Sequence, residues 1–270
     1  MKNGVYNLHA PFERAINYAS HDGELIALVL PEIGAGPGYI VLRELPHPAP
    51  ATITVTDDRI IWAGWTISTC DLPVYDPRLT ISRLPNAEML TERIHPLLPL
   101  FPLGSPAFLF DQGRAADFRS DFEKAYSDQL RLGATALQEG RYADGTKALR
   151  GLGAGLTPAG DDFLCGFLWA LNLAGPSWGR ARKTIYETAM GDNLIVNHFL
   201  RAAYEGLFFE HFKRFARAFC EGANAEILAA FKQLLTIGAT SGADTAAGLI
   251  IGLLHTTPAT GPIIRNTGAV

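Results

Sequence analysis

Two rhythms of hydrophobic and polar residues divide the chain. Up to about residue 112 the apolar positions come in short runs: ELIALVL (24–30), YIVLRE (39–44), TITV (52–55) and RIIWAGWTIS (59–68). Gly, Pro and Asp-Asp punctuate them, which predicts an antiparallel β layer with Asp57-Asp58 as a hairpin turn. FERAINYA (12–19) reads as one short helix. From Arg114 the spacing becomes helical. Phe118, Phe122, Ala125, Leu130, Leu132 and Leu137 recur at three and four residues with charges between them, and Gly140 offers a stop. Further helices are predicted over 158–174, about 180–219 with a break, 224–236 and 242–254. The expectation is an α+β fold: a β-rich domain over 1–112, then a mainly α-helical domain over 113–270 with buried central helices.

Composition narrows the functional classes. Of 270 residues 48% are hydrophobic and 19% charged, which describes a globular chain with a large core. A net charge of −4 leaves no basic footprint for nucleic acid or an anionic membrane surface. The longest apolar runs, around 163–171 and 246–254, fall short of the roughly 20 residues of a spanning helix. MKNGVYNLHAPFERA lacks the apolar core of a secretory signal, and Cys70, Cys165 and Cys220 form no CxxC pair. A cytoplasmic protein with free thiols is expected.

The densest chemistry lies in GLGAGLTPAGDD (151–162), where glycines, a Thr-Pro and two acids precede an almost wholly apolar run. Glycines before a helix prepare an anion site, whereas carboxylates repel one. Threonine suits an N-cap and proline the first helical position, so Thr157-Pro158 predicts the helix start. Asp161 and Asp162 are then surplus to capping. The pattern returns 83 residues later: GLTPAGDD lies over GATSGADT (238–245), pairing Gly155 with Gly238, Thr157 with Thr240 and Asp161 with Asp244. Small residues four apart, Gly166 and Ala170 in one apolar run and Gly248 and Gly252 in the other, permit close helix contact. This weak internal repeat predicts two buried helices aiming similar N-termini at one shared cleft. A purely structural reading of Asp244 stands beside it, because Ser241 and Asp244 also spell a capping box.

Other candidates are single features. Asn193, Asn197 and Arg201 fall on one stripe of a helix, with His198 beside it as either a base or a packed side chain. GAGPG (34–38) is a loop whose Gly36 brings backbone N–H groups to a ligand or makes a plain turn. No G-x-S-x-G elbow, phosphate-binding P-loop or dinucleotide fingerprint is present, and the histidines show no metal-ligand spacing.

Together, RAIN (14–17), GAGPG, GLGAGLTPAGDD, DNLIVNHF (192–199) and SGADT (241–245) resemble the bacterial AllH family, associated with oxamate carbamoyltransferase in anaerobic allantoin degradation. The resemblance implies a subunit or enzyme acting on a small carbamoyl or amide substrate, with other subunits of a transferase complex as partners. The implied reaction is phosphorolysis of oxalurate to oxamate and carbamoyl phosphate. Asp161, Asp162, Asp244 and His198 are then the candidate catalytic residues. Gly36, Gly153, Gly155, Thr157, Gly160, Asn193, Asn197, Ser241 and Thr245 are the candidates for binding substrate and phosphate, with the 151–155 loop and the helix start as the phosphate cradle. The chain lacks the S-T-R-T loop of the aspartate and ornithine carbamoyltransferases. SGADTAAGLIIG is also similar to the last motif of the ADP-ribosylglycohydrolases, which implies a magnesium-dependent hydrolase with Asp161, Asp162 and Asp244 as ligands. A third reading is a non-catalytic subunit whose motifs only stabilise two helix ends.

Overall fold

The computed structural model describes residues 1–70 and 72–257. Its N-terminal part is a seven-stranded sheet made of β1 (Gly4–Pro11), β2 (Ala15–Ser20), β3 (Leu25–Val29), β4 (Tyr39–Val41), β5 (Thr52–Val55), β6 (Arg59–Trp62) and β7 (Trp65–Ser68). The spatial order is β4-β3-β2-β1-β5-β6-β7. Neighbours are antiparallel except β3 and β4, which run parallel. The Asp57-Asp58 turn joins β5 to β6 as predicted, closed by Thr56 N–H donating to the Arg59 carbonyl at 2.8 Å.

FERAINYA is not a helix. Phe12–Arg14 turn the chain, Phe12 N–H donating to the Ala15 carbonyl at 2.7 Å, and Ala15–Ser20 become a central strand paired on both sides. A strand presents alternate residues to opposite faces. Ile16 and Tyr18 join Tyr6, Ile26, Leu28 and Ile53 in the core of the sheet, which leaves Ala15 and Asn17 on the face toward the helices. Period two wins over local helix propensity because both edges of the segment find strand partners.

The helical part begins with α1 (Ala87–Ile94), followed by short 3-10 turns up to Asp117. Leu90, Ile94, Phe101 and Phe108 pack into the helical core, although they precede residue 113. Then come α2 (Asp121–Gln138), α3 (Tyr142–Leu149), α4 (Ala159–Leu173), α5 (Gly179–Ala189), α6 (Leu194–Glu205), α7 (Glu210–Glu221), α8 (Asn224–Leu234) and α9 (Ser241–Thr256). The chain is therefore α+β as read from its periodicity. In α2, opened by a Ser120–Glu123 capping box, the buried stripe is Leu130, Ala134 and Leu137, while Phe122 and Leu132 are exposed. The 180–219 region breaks twice. Asn193 caps α6 by accepting from the Ile195 and Val196 N–H groups, and Gly206 ends it in the left-handed conformation at φ 72°.

α4 and α9 form the centre of the molecule. Every residue from Ala159 to Leu171 and from Gly242 to Leu254 is buried. They lie parallel, with their N-termini at the same end. A Cβ on Gly166 would collide with the Thr245 carbonyl, one on Gly248 with the Phe163 carbonyl, and one on Gly252 would sit 2.5 Å from Ala170 Cβ. The small residues seen in the repeat thus set the helix separation. Among the described residues no helix is long and apolar enough to cross a membrane.

Candidate functional site

Both N-termini open onto a cavity of about 440 Å³ between the sheet and the helical layer. α4 contributes Asp162, Cys165 and Trp169 to its wall, and α9 contributes Ser241 and Thr245. Thr157 and Leu156 approach from the glycine loop, Ile195 and Phe199 from α6, and Arg14, Ala15 and Asn17 from the sheet. That volume suits a small ligand.

The local geometry differs from the predicted cap. Pro158 is the N-cap of α4, and Thr157 spends its hydroxyl elsewhere. Its Oγ1 donates to Asp162 Oδ2 at 3.1 Å and meets Ser241 Oγ at 3.0 Å, which ties the two helix starts together. At α9 the Ser241–Asp244 capping box does not form: Thr240 is the N-cap and makes no side-chain cap bond. Asp244 is 1% exposed, and neither of its oxygens has a hydrogen-bond partner among the described residues. Burial raises its carboxyl to about 7, and the nearby Thr240 side chain, not within hydrogen-bond geometry, lowers it only slightly. Asp162 is also buried. Desolvation first, then the neighbouring Asp244 charge, hold it well above the usual carboxylate range, only partly offset by the Ser241 and Thr157 hydroxyls.

This chemistry answers the conflict between glycines and acids. A carboxyl kept neutral does not repel an anion and can donate a hydrogen bond or a proton. Asp161 is engaged differently, accepting from the Gly151 N–H at 3.1 Å and so holding the glycine loop onto α4. The backbone at the start of α4 is partly used as well, because the Gly160 N–H donates to the Leu152 carbonyl at 2.8 Å. Gly153 and Gly155 take φ of 112° and 103°, and a Cβ on Gly160 would strike the Leu149 carbonyl. None of these three glycines lines the cavity.

Several predicted candidates sit apart from it. α6 turns Ile195 and Phe199 inward rather than the Asn193–Asn197–Arg201 stripe. The Asn193 amide donates to the Leu156 carbonyl at 2.9 Å, Asn197 bonds both the N–H and the C=O of Gly191, and Arg201 meets Glu24 at 3.3 Å. His198 is bonded through Nε2 to the Pro37 carbonyl at 2.9 Å, with burial lowering its pKa. As a neutral donor it anchors the GAGPG loop to α6. Gly36 faces Phe209, whose ring a Cβ there would overlap.

Magnesium requires about six hard oxygen ligands in near-ideal octahedral array. Among the described residues no three His, Cys, Asp or Glu side chains gather as such a group. Asp161 turns to the loop, and Asp162 receives hydroxyl donors rather than offering a free carboxylate. The donor set fits two neighbouring buried acids, the charge of one raising the other, better than a hydrated divalent cation.

Arg14, Asn17 and Tyr39, not among the candidates that the motifs single out, also line the cavity. The signal was present in RAIN, where alternation puts Asn17 opposite Ile16 and Tyr18, but a helical reading of 12–19 hid it.

Fold and site define an α+β protein in which two parallel helices, packed through glycine, present the Asp162 carboxyl and the Ser241 and Thr245 hydroxyls to a cavity roofed by a sheet. Residues 149–253 match the family model of the oxamate carbamoyltransferase subunit AllH, the family that the motifs resemble. The match runs from the end of α3 into the last turns of α9 and includes both halves of the repeat. The match spans 105 of the 270 residues. No solved structure matches the chain.

Proposed function

We propose that this chain is the subunit of an oxamate carbamoyltransferase-type assembly that binds the small carbamoyl or amide substrate in the cavity at the starts of α4 and α9. The observation that carries this reading is Asp162, a buried carboxyl on the cavity wall gripped by the Thr157 hydroxyl and crowded by Asp244. In phosphorolysis of oxalurate a phosphate oxygen bonds to the carbamoyl carbon, the carbon–nitrogen bond to the oxamate nitrogen breaks, and that nitrogen takes up a proton. A neutral Asp162 suits the last step as proton donor, and in the reverse direction its carboxylate accepts the proton. General acid catalysis of this kind contributes about 10²–10⁴-fold. Asp161 has a supporting role, holding the loop that carries Thr157.

The test is turnover by the reconstituted assembly containing Asp162→Asn. The expected result is a fall in kcat of at least about a hundredfold with little change in oxamate affinity. Turnover within threefold of wild type removes Asp162 from the chemistry and leaves this chain a non-catalytic subunit.

A further inference from the structure

We infer that Arg14 and Asn17, contributed by the N-terminal sheet, form the carboxylate-recognition half of the cavity and make the site selective for substrates with an anionic end. The inference rests on the proposed function above, since it assigns the second end of the same ligand. Its ground is independent of the helix starts. Asn17 is 6% exposed, lines the cavity, and its amide makes no hydrogen bond among the described residues. An amide held on a cavity wall with no protein partner keeps its donor and acceptor available to a ligand there. Its position is fixed by strand pairing, with Asn17 opposite Ala27 and Ala10 in β3 and β1.

Arg14 stands at the cavity mouth three residues before it. Its backbone is held by the Leu30 N–H, which donates to the Arg14 carbonyl at 3.0 Å, yet its guanidinium has no ion pair or hydrogen bond among the described residues. Ala15, on the same face as Asn17, also lines the cavity. A planar guanidinium and an amide donor lining one cavity match a carboxylate, which accepts from both. Lysine is absent from the wall, and the other charged residues lining it are Glu13, exposed beside Arg14, and Asp162 at the far side. A ligand with a carboxylate at one end and an N–H or carbonyl at the other spans the two. The polar ends of the site thus come from different layers, and the family match to 149–253 contains only one of them.

The experiment is calorimetric titration of the full chain with oxamate and with oxamide, its neutral amide analogue, for wild type, Arg14→Gln and Arg14→Lys. Arg14 is exposed, and an unchanged thermal transition verifies folding of each variant. Wild type is expected to prefer oxamate over oxamide. In Arg14→Gln the affinity for oxamate falls about ten- to hundredfold, that for oxamide changes less than twofold, and Arg14→Lys recovers part of the loss. A preference for oxamate that survives Arg14→Gln overturns the inference while the substrate cavity stands. Equal loss of both ligands overturns it too, by showing a merely structural Arg14. Binding of neither ligand to wild type overturns the inference and the proposed function together.

Discussion

Asp244→Asn isolates the strain carried by the acid pair. The substitution preserves shape and removes the charge. In the folded protein burial raises the Asp244 carboxyl from 3.8 to about 7, so between those values the folded chain keeps a proton that the unfolded chain has already shed. The stability this proton gives is full below pH 3.8 and is lost as pH rises through about 7. At about 1.4 kcal/mol per pH unit the whole window is worth about 4 kcal/mol, of which about 3 falls between pH 5 and pH 8. The helix macrodipole opposes the effect, but about 0.3–1 kcal/mol per N-terminus does not cancel it. Asp162 adds in the same direction, because loss of the Asp244 charge relieves its own raised carboxyl. Urea unfolding at several pH values, followed by the fluorescence of the buried Trp169, reads the difference. Asp244→Asn is expected to gain about 3 kcal/mol on wild type from pH 5 to pH 8. A difference that stays constant within about 1 kcal/mol, or shrinks as pH rises, refutes the assignment of a buried protonated acid.

Two other expectations test the scaffold and the site. Gly166→Ala and Gly248→Ala each drive a methyl into the facing helix backbone and are expected to cost about 3 kcal/mol, whereas Gly155→Ala, with no atom near its Cβ, costs about 1 kcal/mol through its φ alone. Similar midpoints for all three in denaturant melts contradict the glycine-set packing of α4 on α9. Millimolar magnesium is expected to leave the thermal transition of the full chain within 1 °C or so, and a saturable rise of several degrees lost in Asp162→Asn restores the metal reading.

The α+β division, the two buried helices and their glycine contacts were legible because each depends on a repeating pattern. Apolar residues on every side mark a central helix, and small residues four apart mark where another approaches. The strand at Ala15–Ser20 was not legible locally, since its pairing with β1 and β3 lies outside the segment. Caps were misassigned for a related reason. Thr157 and Ser241 have good capping chemistry, but each found a better partner across the interface between helices 84 residues apart, which no single motif displays. The polar stripe on α6 was real in spacing, yet capping of its own helix, the Gly191 turn and Glu24 claimed Asn193, Asn197 and Arg201.

Close packing of α4 on α9 explains why the acids persist at a cost. Parallel helices at glycine separation place two positive dipole ends side by side, an unfavourable arrangement that negative charge relieves. Full ionisation of both acids would overshoot, since like charges in a dry site repel more strongly than in water. Partial protonation is the compromise, with Thr157 and Ser241 supplying hydroxyls that adapt to either state of Asp162. A pair poised in this way changes its protonation when a charged ligand enters. The proposed anionic end of such a ligand falls to a layer that carries no part of the repeat, where Arg14 has no ion pair or hydrogen bond among the described residues. In the proposed reading the repeat supplies the proton donor on the cavity floor, and the sheet above it selects the ligand.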